Sequence, residues 1–499
     1  MIAEVRLPVS TGEPPRYPAT SDEHNRLVTS LLLAMLAATF VIWLVPLRVP
    51  LWLDETVSYS QISNGFSQIW QRRAGLFPAY YYLLWLAKTL FGSSVIALRA
   101  PSVLAMLAAT FVLFRISREF FSKDIALAIS LLFSLHPYVV FAAIDARPYA
   151  IALLVVNCAI LSLVMLEKTH ATRYAIALGV TSALIFYFHY LFAVILAAFA
   201  MLLLAYRRDN WPNFWKQLAI SATAFTITML PVLTGMEYLF RTRGIHVFSL
   251  GPTEQDFINT FAPEGTLFFL FCCVALVAAS LKKLRQPPDE PELTGLTCLL
   301  LAFIPLVFLF VTSRATSLTV FVERYRLVAI PGIALCWGLL LSRIDSKLLR
   351  IGFCFAVLAI AAREQLAYPH HSYSWKDAID AANAATRDDH APILICSDLP
   401  ESDHLPMPAN PAQSDLFAPL SYYPLHSPVV PLPRTVNDTA TSQVHTFLAS
   451  RTVPQRFLAM AYRPSTSTLK LIDQETRATY KSHELGNFDG VSVVEYLPK

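Results

Sequence analysis

Four short stretches of this 499-residue chain bring together carboxylates, guanidinium groups and aromatic hydroxyls in a sequence that otherwise avoids charge: Trp52-Leu53-Asp54-Glu55, Asp145-Ala146-Arg147-Pro148-Tyr149, Phe188-His189-Tyr190 and Glu323-Arg324-Tyr325-Arg326. Each lies at the end of a long apolar run. A charge at a membrane boundary is costly unless it is hydrated, paired or used, so an acidic pair at a helix mouth marks a candidate functional site. A carboxylate can take the proton of a nucleophile as its new bond forms. Arg, Lys or a divalent cation can meet the negative charge that grows on a departing phosphate. Together they suit a reaction between an anionic lipid headgroup and a neutral hydroxyl, and glycosyl transfer from a polyprenyl phosphate is such a reaction. Plainer readings stand beside this one. Asp54 and Glu55 could end a helix in water, Asp145 and Arg147 could pair with each other, and Arg324 and Arg326 could snorkel to lipid phosphates. Lys88 faces either lipid headgroups or a donor phosphate, and His189 is either a polar helix end or a ligand.

The elements that must position these residues are mostly membrane helices. Hydrophobic residues make up 55% of the chain and charged residues only 15%, with a mean hydropathy of +0.49, which excludes an ordinary soluble domain. The net charge of +4 is spread over short loops, so no nucleic-acid partner is implied. Six of seven cysteines lie in apolar runs, leaving Cys396, so neither a disulfide framework nor a cysteine metal site follows. A span needs about 20 apolar residues. Runs near that length occur at 27–47, 97–115, 125–143, 148–166, 216–236, 264–281, 293–312, 327–343 and 348–366, and the run 174–206 splits at Phe188-His189-Tyr190, for about eleven transmembrane helices. Residues 78–91, with Tyr80, Tyr81, Tyr82, Trp85 and Lys88, read as a helix in the interface. With that helix beside Asp54, all four charged clusters reach one face. The excess of Lys and Arg on the other face makes residues 1–26 a cytoplasmic tail and the clusters extracytoplasmic, in a multi-pass protein of the plasma (inner) membrane. The first run has no cleavage site before Asp54 and reads as a retained signal anchor.

From residue 367 the apolar runs stop, and 14 of the 33 prolines follow. Trp375 to Ala385 has the pattern of an amphipathic helix, while 392–396, 456–462 and 491–496 read as short strands, giving a small α/β extracytoplasmic domain over 367–499 with Pro-rich loops at 400–433.

Trp52-Leu53-Asp54-Glu55, Ala79-Tyr80-Tyr81, Asp145-Ala146-Arg147-Pro148-Tyr149 and Arg324-Tyr325 resemble the GT-C superfamily of membrane glycosyltransferases, in particular the group of protein O-mannosyltransferases and lipid A aminoarabinose transferases. The likeness covers roughly 27–345, making 27–366 the expected catalytic domain. It implies an inverting hexosyl- or pentosyl-type transferase that uses a polyprenyl-phosphate-linked sugar, with membrane lipids around it and a glycan, lipid or protein as acceptor. It also implies Asp54 as general base, Glu55 as supporting carboxylate or metal ligand, and Asp145 as the second acidic position. Arg147, Tyr149, Arg324, Tyr325 and Lys88 would then bind the donor phosphate. Where relatives often carry His-Pro-Pro-Leu-Tyr-Tyr, this chain has Leu76-Phe77-Pro78-Ala79-Tyr80-Tyr81. The histidine is replaced, so a divalent metal ion stays an open question, with Glu55 and His189 as the residues that could hold one. A lipid-linked sugar transporter or flippase would place its charges on broken helices at mid-membrane. An enzyme resembling an O-antigen ligase or polymerase would carry its large outer loop between late helices.

Overall fold

The computed structural model of the protein describes residues 20–72, 77–207, 213–233, 235, 251–261, 292–316, 318–344, 346–367, 374–450, 455–462 and 466–499. The expected run 264–281 and the substituted position Leu76 lie outside them. The helices of the first part are Thr20–Leu44 (α1), Leu53–Ser63 (α2), Phe66–Arg72 (α3), Ala79–Phe91 (α4), Val95–Arg118 (α5), Lys123–Ser134 (α6), Pro137–Ala143 (α7), Tyr149–Thr169 (α8), Thr172–Phe188 (α9), Ile195–Tyr206 (α10), Phe214–Met229 (α11), Glu254–Phe261 (α12), Glu292–Ala315 (α13), Glu323–Arg326 (α14), Ile330–Ser342 (α15) and Lys347–Ala367 (α16).

Among the described residues four helical stretches are long and apolar enough to cross a membrane: Val95–Arg118, Tyr149–Thr169, Thr294–Ala315 and Glu323–Ser342. α6 and α7 make a fifth if the pair, bent by 67°, crosses as one. The chain is thus a multi-pass membrane protein, with fewer spans by length and composition than the eleven expected. Several expected runs fall in shorter apolar helices, Val28–Leu44, Thr172–Phe188 and Tyr190–Tyr206. Seventeen helical residues reach about 26 Å, short of a hydrocarbon core of about 30 Å.

The bend between α6 and α7 has a local cause and a use. Pro137 has no N–H to continue α6, and the His136 side chain caps the new helix by accepting the Tyr138 N–H at 3.2 Å. The short α7 then delivers Asp145 to the end of the bundle. In the interior, Asn157 of α8 donates to the carbonyl of Ala109 on α5 at 2.9 Å, satisfying an amide that lipid could not. Two glycines allow helix backbones to touch. A Cβ on Gly332 of α15 would lie 2.3 Å from the Ala302 nitrogen of α13, and one on Gly179 of α9 would lie 2.2 Å from the Ser221 carbonyl oxygen of α11.

The first loop, between α1 and α4, is itself helical. The expected interfacial helix at 78–91 is α4, and two further helices, α2 and α3, precede it.

The C-terminal part contains helices Trp375–Ala385 (α17), Pro419–Tyr422 (α18), Asp438–Ala449 (α19) and Thr466–Thr476 (α20) and strands Ile393–Cys396 (β1), Val429–Leu432 (β2), Phe457–Tyr462 (β3), Tyr480–Phe488 (β4) and Val491–Pro498 (β5). The sheet order is β2-β1-β3-β5-β4. β1 runs parallel to β2 and β3, and β5 is antiparallel to β3 and β4. Ile393 and Ile395 pack with Leu458, Met460 and Trp375 on one face. Leu394 and Cys396 pack with Phe457, Phe447 and Ile472 on the other. A central strand covered on both faces is apolar throughout, which is why β1 is evident from sequence. The two strands that the sequence pattern does not announce are the edges. β2 contains Pro431, tolerated only where a ladder hydrogen bond can be spared. β4 carries Lys481, His483 and Glu484 on exposed positions, as edge strands do to discourage pairing with other chains.

Candidate active site

α2 places two adjacent carboxylates in different surroundings. Its first turn starts after Trp52, and the Glu55 side chain reaches back to accept the Trp52 N–H at 3.3 Å, a capping-box contact. Glu55 is fully buried, and so is its partner Arg99 of α5. Arg99 Nε donates to Oε1 at 2.7 Å and Nη2 to Oε2 at 2.5 Å, while the Ala146 N–H donates to Oε1 at 2.8 Å. The remaining guanidinium protons go to the carbonyls of Leu47 and Val49 at 2.9 and 2.8 Å. Arg99 therefore ties the entire approach to α2 onto α5. A bidentate, fully hydrogen-bonded pair of this kind is the form in which two charges can be removed from water.

Asp54, one residue earlier, keeps 18% of its side-chain surface exposed. Its Oδ2 accepts from Arg324 Nη1 at 2.9 Å and lies 3.8 Å from Arg147 Nη2. Arg147 also donates to the Asp54 carbonyl at 3.2 Å. The Nε atoms of both arginines are buried and have no hydrogen-bond partner among the described residues. Two cations thus share one partly exposed carboxylate.

The surrounding groups are aromatic. The Arg147 guanidinium lies 5.8 Å from the Tyr149 ring centre and that of Arg324 lies 5.5 Å from the ring of Tyr325. Both tyrosine rings flank His189, each at 5.2 Å between centres. Burial, reinforced by the charges of Arg147 and Arg324, pushes the His189 imidazole down to about 3, so it is neutral at physiological pH. Tyr81 of α4 also looks onto the site, within electrostatic reach of Arg147, Asp415 and Asp54, and burial raises its hydroxyl above the ordinary tyrosine range.

Asp145 is fully buried. Its Oδ1 accepts from Trp52 Nε1 at 3.0 Å, and its Oδ2 has no partner. Burial, then the neighbouring Glu55 charge, holds its carboxyl well above the usual range, with Arg147 pulling the other way. Asp145 thus braces Trp52 through a hydrogen bond rather than serving as a simple ion-pair partner of Arg147.

The structure thus brings together Asp54, Arg147, Tyr149, His189, Arg324 and Tyr325, with Glu55 and Asp145 directly behind them. It does not bring in Lys88, whose Nζ lies 4.7 Å over the Tyr59 ring. Nor does Arg326 belong: it donates to the Thr260 hydroxyl at 2.8 Å and to the Asp256 carbonyl, fixing α12. For a metal ion the donor set fits poorly. Glu55 is enclosed by Arg99, His189 stands between two cations, and no three His, Cys, Asp or Glu side chains converge among the described residues. Sequence reasoning overlooked Arg99. Its signal was a lone arginine inside the apolar run 97–115, a position where charge is rare unless paired.

Residues 76–234 match the family model "Dolichyl-phosphate-mannose-protein mannosyltransferase", which covers α4 to α11 and includes Asp145, Arg147, Tyr149 and His189. No curated protein sequence matches the chain. Two solved structures align over almost the whole chain. ArnT from Cupriavidus metallidurans bound to undecaprenyl phosphate is 14% identical, with a TM-score of 0.54 over 94% of this chain and 98% of that one. Its apo state gives 0.56 at the same identity and coverage. At this identity the likeness speaks for the fold, C-terminal domain included. The GT-C resemblance read from the motifs is borne out at the level of fold: the chain folds like ArnT, and its residues 76–234 match the mannosyltransferase family model.

Proposed function

We propose that the protein is an integral membrane glycosyltransferase that moves a sugar from a polyprenyl-phosphate donor to a hydroxyl of a lipid, glycan or protein acceptor at the membrane face carrying Asp54. The observation that carries this reading is the pairing of one partly exposed carboxylate, Asp54, with two guanidinium groups, Arg147 and Arg324, whose Nε donors have no partner among the described residues. The bound lipid of the similarly folded ArnT, undecaprenyl phosphate, supports a donor of this class.

In the absence of donor the two arginines neutralise Asp54. An entering phosphate is a stronger bidentate partner for guanidinium groups than a shared carboxylate oxygen. As Arg147 and Arg324 turn to it, Asp54 is released to act as a base. The acceptor oxygen then attacks the anomeric carbon from the side opposite the phosphate. The carbon–oxygen bond to phosphate breaks with its electron pair, the acceptor proton passes to Asp54, and the configuration inverts. The charge developing on the polyprenyl phosphate is met by the two guanidinium groups. Tyr325 and the neutral His189, backed by the buried Tyr149, offer an aromatic face against which the apolar face of a sugar ring can lie. Glu55 and Asp145 take no proton in this scheme. They hold α2 and Trp52 in place.

The test is transfer in liposomes containing the purified protein, a radiolabelled polyprenyl-phosphate sugar and a mixture of envelope acceptors. Label should leave the lipid for the acceptor with wild-type protein and stay on the lipid with Asp54→Asn. Labelled lipid that changes leaflet without losing its sugar would instead establish a flippase.

A further inference from the structure

The C-terminal domain grips α2 at both ends. At its start, the Tyr423 hydroxyl accepts the Leu51 N–H at 2.7 Å, and Leu53 packs into the same apolar core as Trp375, Ile379 and Phe417. At its end, the two oxygens of Asp415 accept separately from Ser60 Oγ and Gln61 Nε2, both at 2.6 Å. Ser60 and Gln61 are buried. Between these grips, Tyr422 donates to the Ser93 carbonyl at 2.8 Å and sets its ring 4.9 Å from that of Tyr59. Asp54 is the second residue of this helix. At the site itself, Arg99 and Glu55 hold the first turn of α2.

We propose that the C-terminal domain is a working part of the catalytic centre, with Asp415 and Tyr423 as positioning residues that set where Asp54 points. The inference rests on the function proposed above. A rigid helix of 11 residues is fixed in direction only when both ends are held, and an error of about 1 Å in a reacting group costs on the order of 100-fold in rate. The domain thereby couples its own folding to the geometry of the base. It need not touch the reacting atoms to do so.

The experiment compares Asp415→Ala, Tyr423→Phe, Gln61→Glu and the double variant Asp415→Asn/Gln61→Glu in the liposome assay. Amide hydrogen exchange over 53–63 is followed in parallel. Asp415→Ala and Tyr423→Phe should lower kcat by about tenfold to a hundredfold with donor KM unchanged, and α2 amides should lose protection. Gln61→Glu sets two carboxylates face to face and should behave like Asp415→Ala. The double variant restores an amide-to-carboxylate bond with the partners exchanged and should recover both kcat and protection. Wild-type exchange in Asp415→Ala and Tyr423→Phe, or no recovery in the double variant, overturns the inference. A wild-type protein that transfers no sugar overturns the underlying function while the exchange result still reports on the grip.

Discussion

Asp54 and Glu55 are neighbours in sequence with nearly the same chemistry, and the fold gives them opposite roles. Glu55 is dry and receives hydrogen bonds from Arg99, Ala146 and Trp52 until neither oxygen has an opening left. Asp54 is partly exposed, shares one oxygen between Arg324 and Arg147, and sits beside cations whose Nε donors have no partner among the described residues. The difference teaches that reactivity comes from incomplete satisfaction. A carboxylate whose every lone pair is taken can hold a loop in place, whereas one held by partners that a substrate can claim can change state during a reaction.

Four substitutions would break or sharpen this contrast. Asp54→Asn should have the largest effect, a loss of about 10²–10⁴ in turnover with donor binding intact, read from transfer rates and donor-dependent thermal stabilisation. Near-normal turnover would move the base elsewhere. Arg99→Ala should act on stability instead. It strands a buried carboxylate and should cost about 3–5 kcal/mol, measured by denaturation in detergent, whereas Arg99→Met combined with Glu55→Leu should cost less than either charge removed alone. If the double change is worse, Glu55 does more than fill a dry pair. Arg324→Gln should lower turnover by about a hundredfold, while stability changes by less than about 1 kcal/mol because its pair with Asp54 is partly solvated. Equal losses in both would erase the distinction between the two carboxylates.

A pH-dependent effect belongs to Asp398, which follows β1. Burial, with a lesser push from Asp54, raises its carboxyl to about 7, against the pull of Arg434. Its folded value lies above the unfolded one, so the native state binds the proton more tightly. That contribution to stability is fully present below about pH 4 and is lost as pH rises through about 7. Asp398→Asn should flatten the fall in C-terminal domain stability over that range, measured as unfolding midpoints against pH.

Much of the site was legible because its residues sit where apolar runs end, and topology alone carries Asp54, Arg147, His189 and Arg324 to one face. Roles within that face were not legible. Nothing in Asp54-Glu55 distinguishes the two acids until Arg99, 44 positions away, chooses one of them. Lys88 was open between lipid headgroups and a donor phosphate, and its direction from α4 takes it to Tyr59. Asp415 lies in a Pro-rich stretch with no periodicity, so its grip on Ser60 and Gln61 is purely a product of tertiary folding. The strands at 392–396, 456–462 and 491–496 were visible as apolar runs, while β2 and β4 were hidden by the proline and the charges that protect a sheet edge. Among the described residues, several of the expected spans appear as apolar helices of 17 residues, because apolar composition reports burial in lipid and burial in protein alike and does not fix helix length.

The contact between Gly332 and the backbone of Leu301 and Ala302 limits how this protein could be re-engineered. Arg324 and Tyr325 open the same helical stretch, Glu323–Ser342, that Gly332 seats against α13. A single added methyl group would lift that stretch away and carry the guanidinium with it. Position 332 is therefore closed to variation, and the spacing between Arg324 and Asp54 depends on the contact of two main chains as well as on side chains.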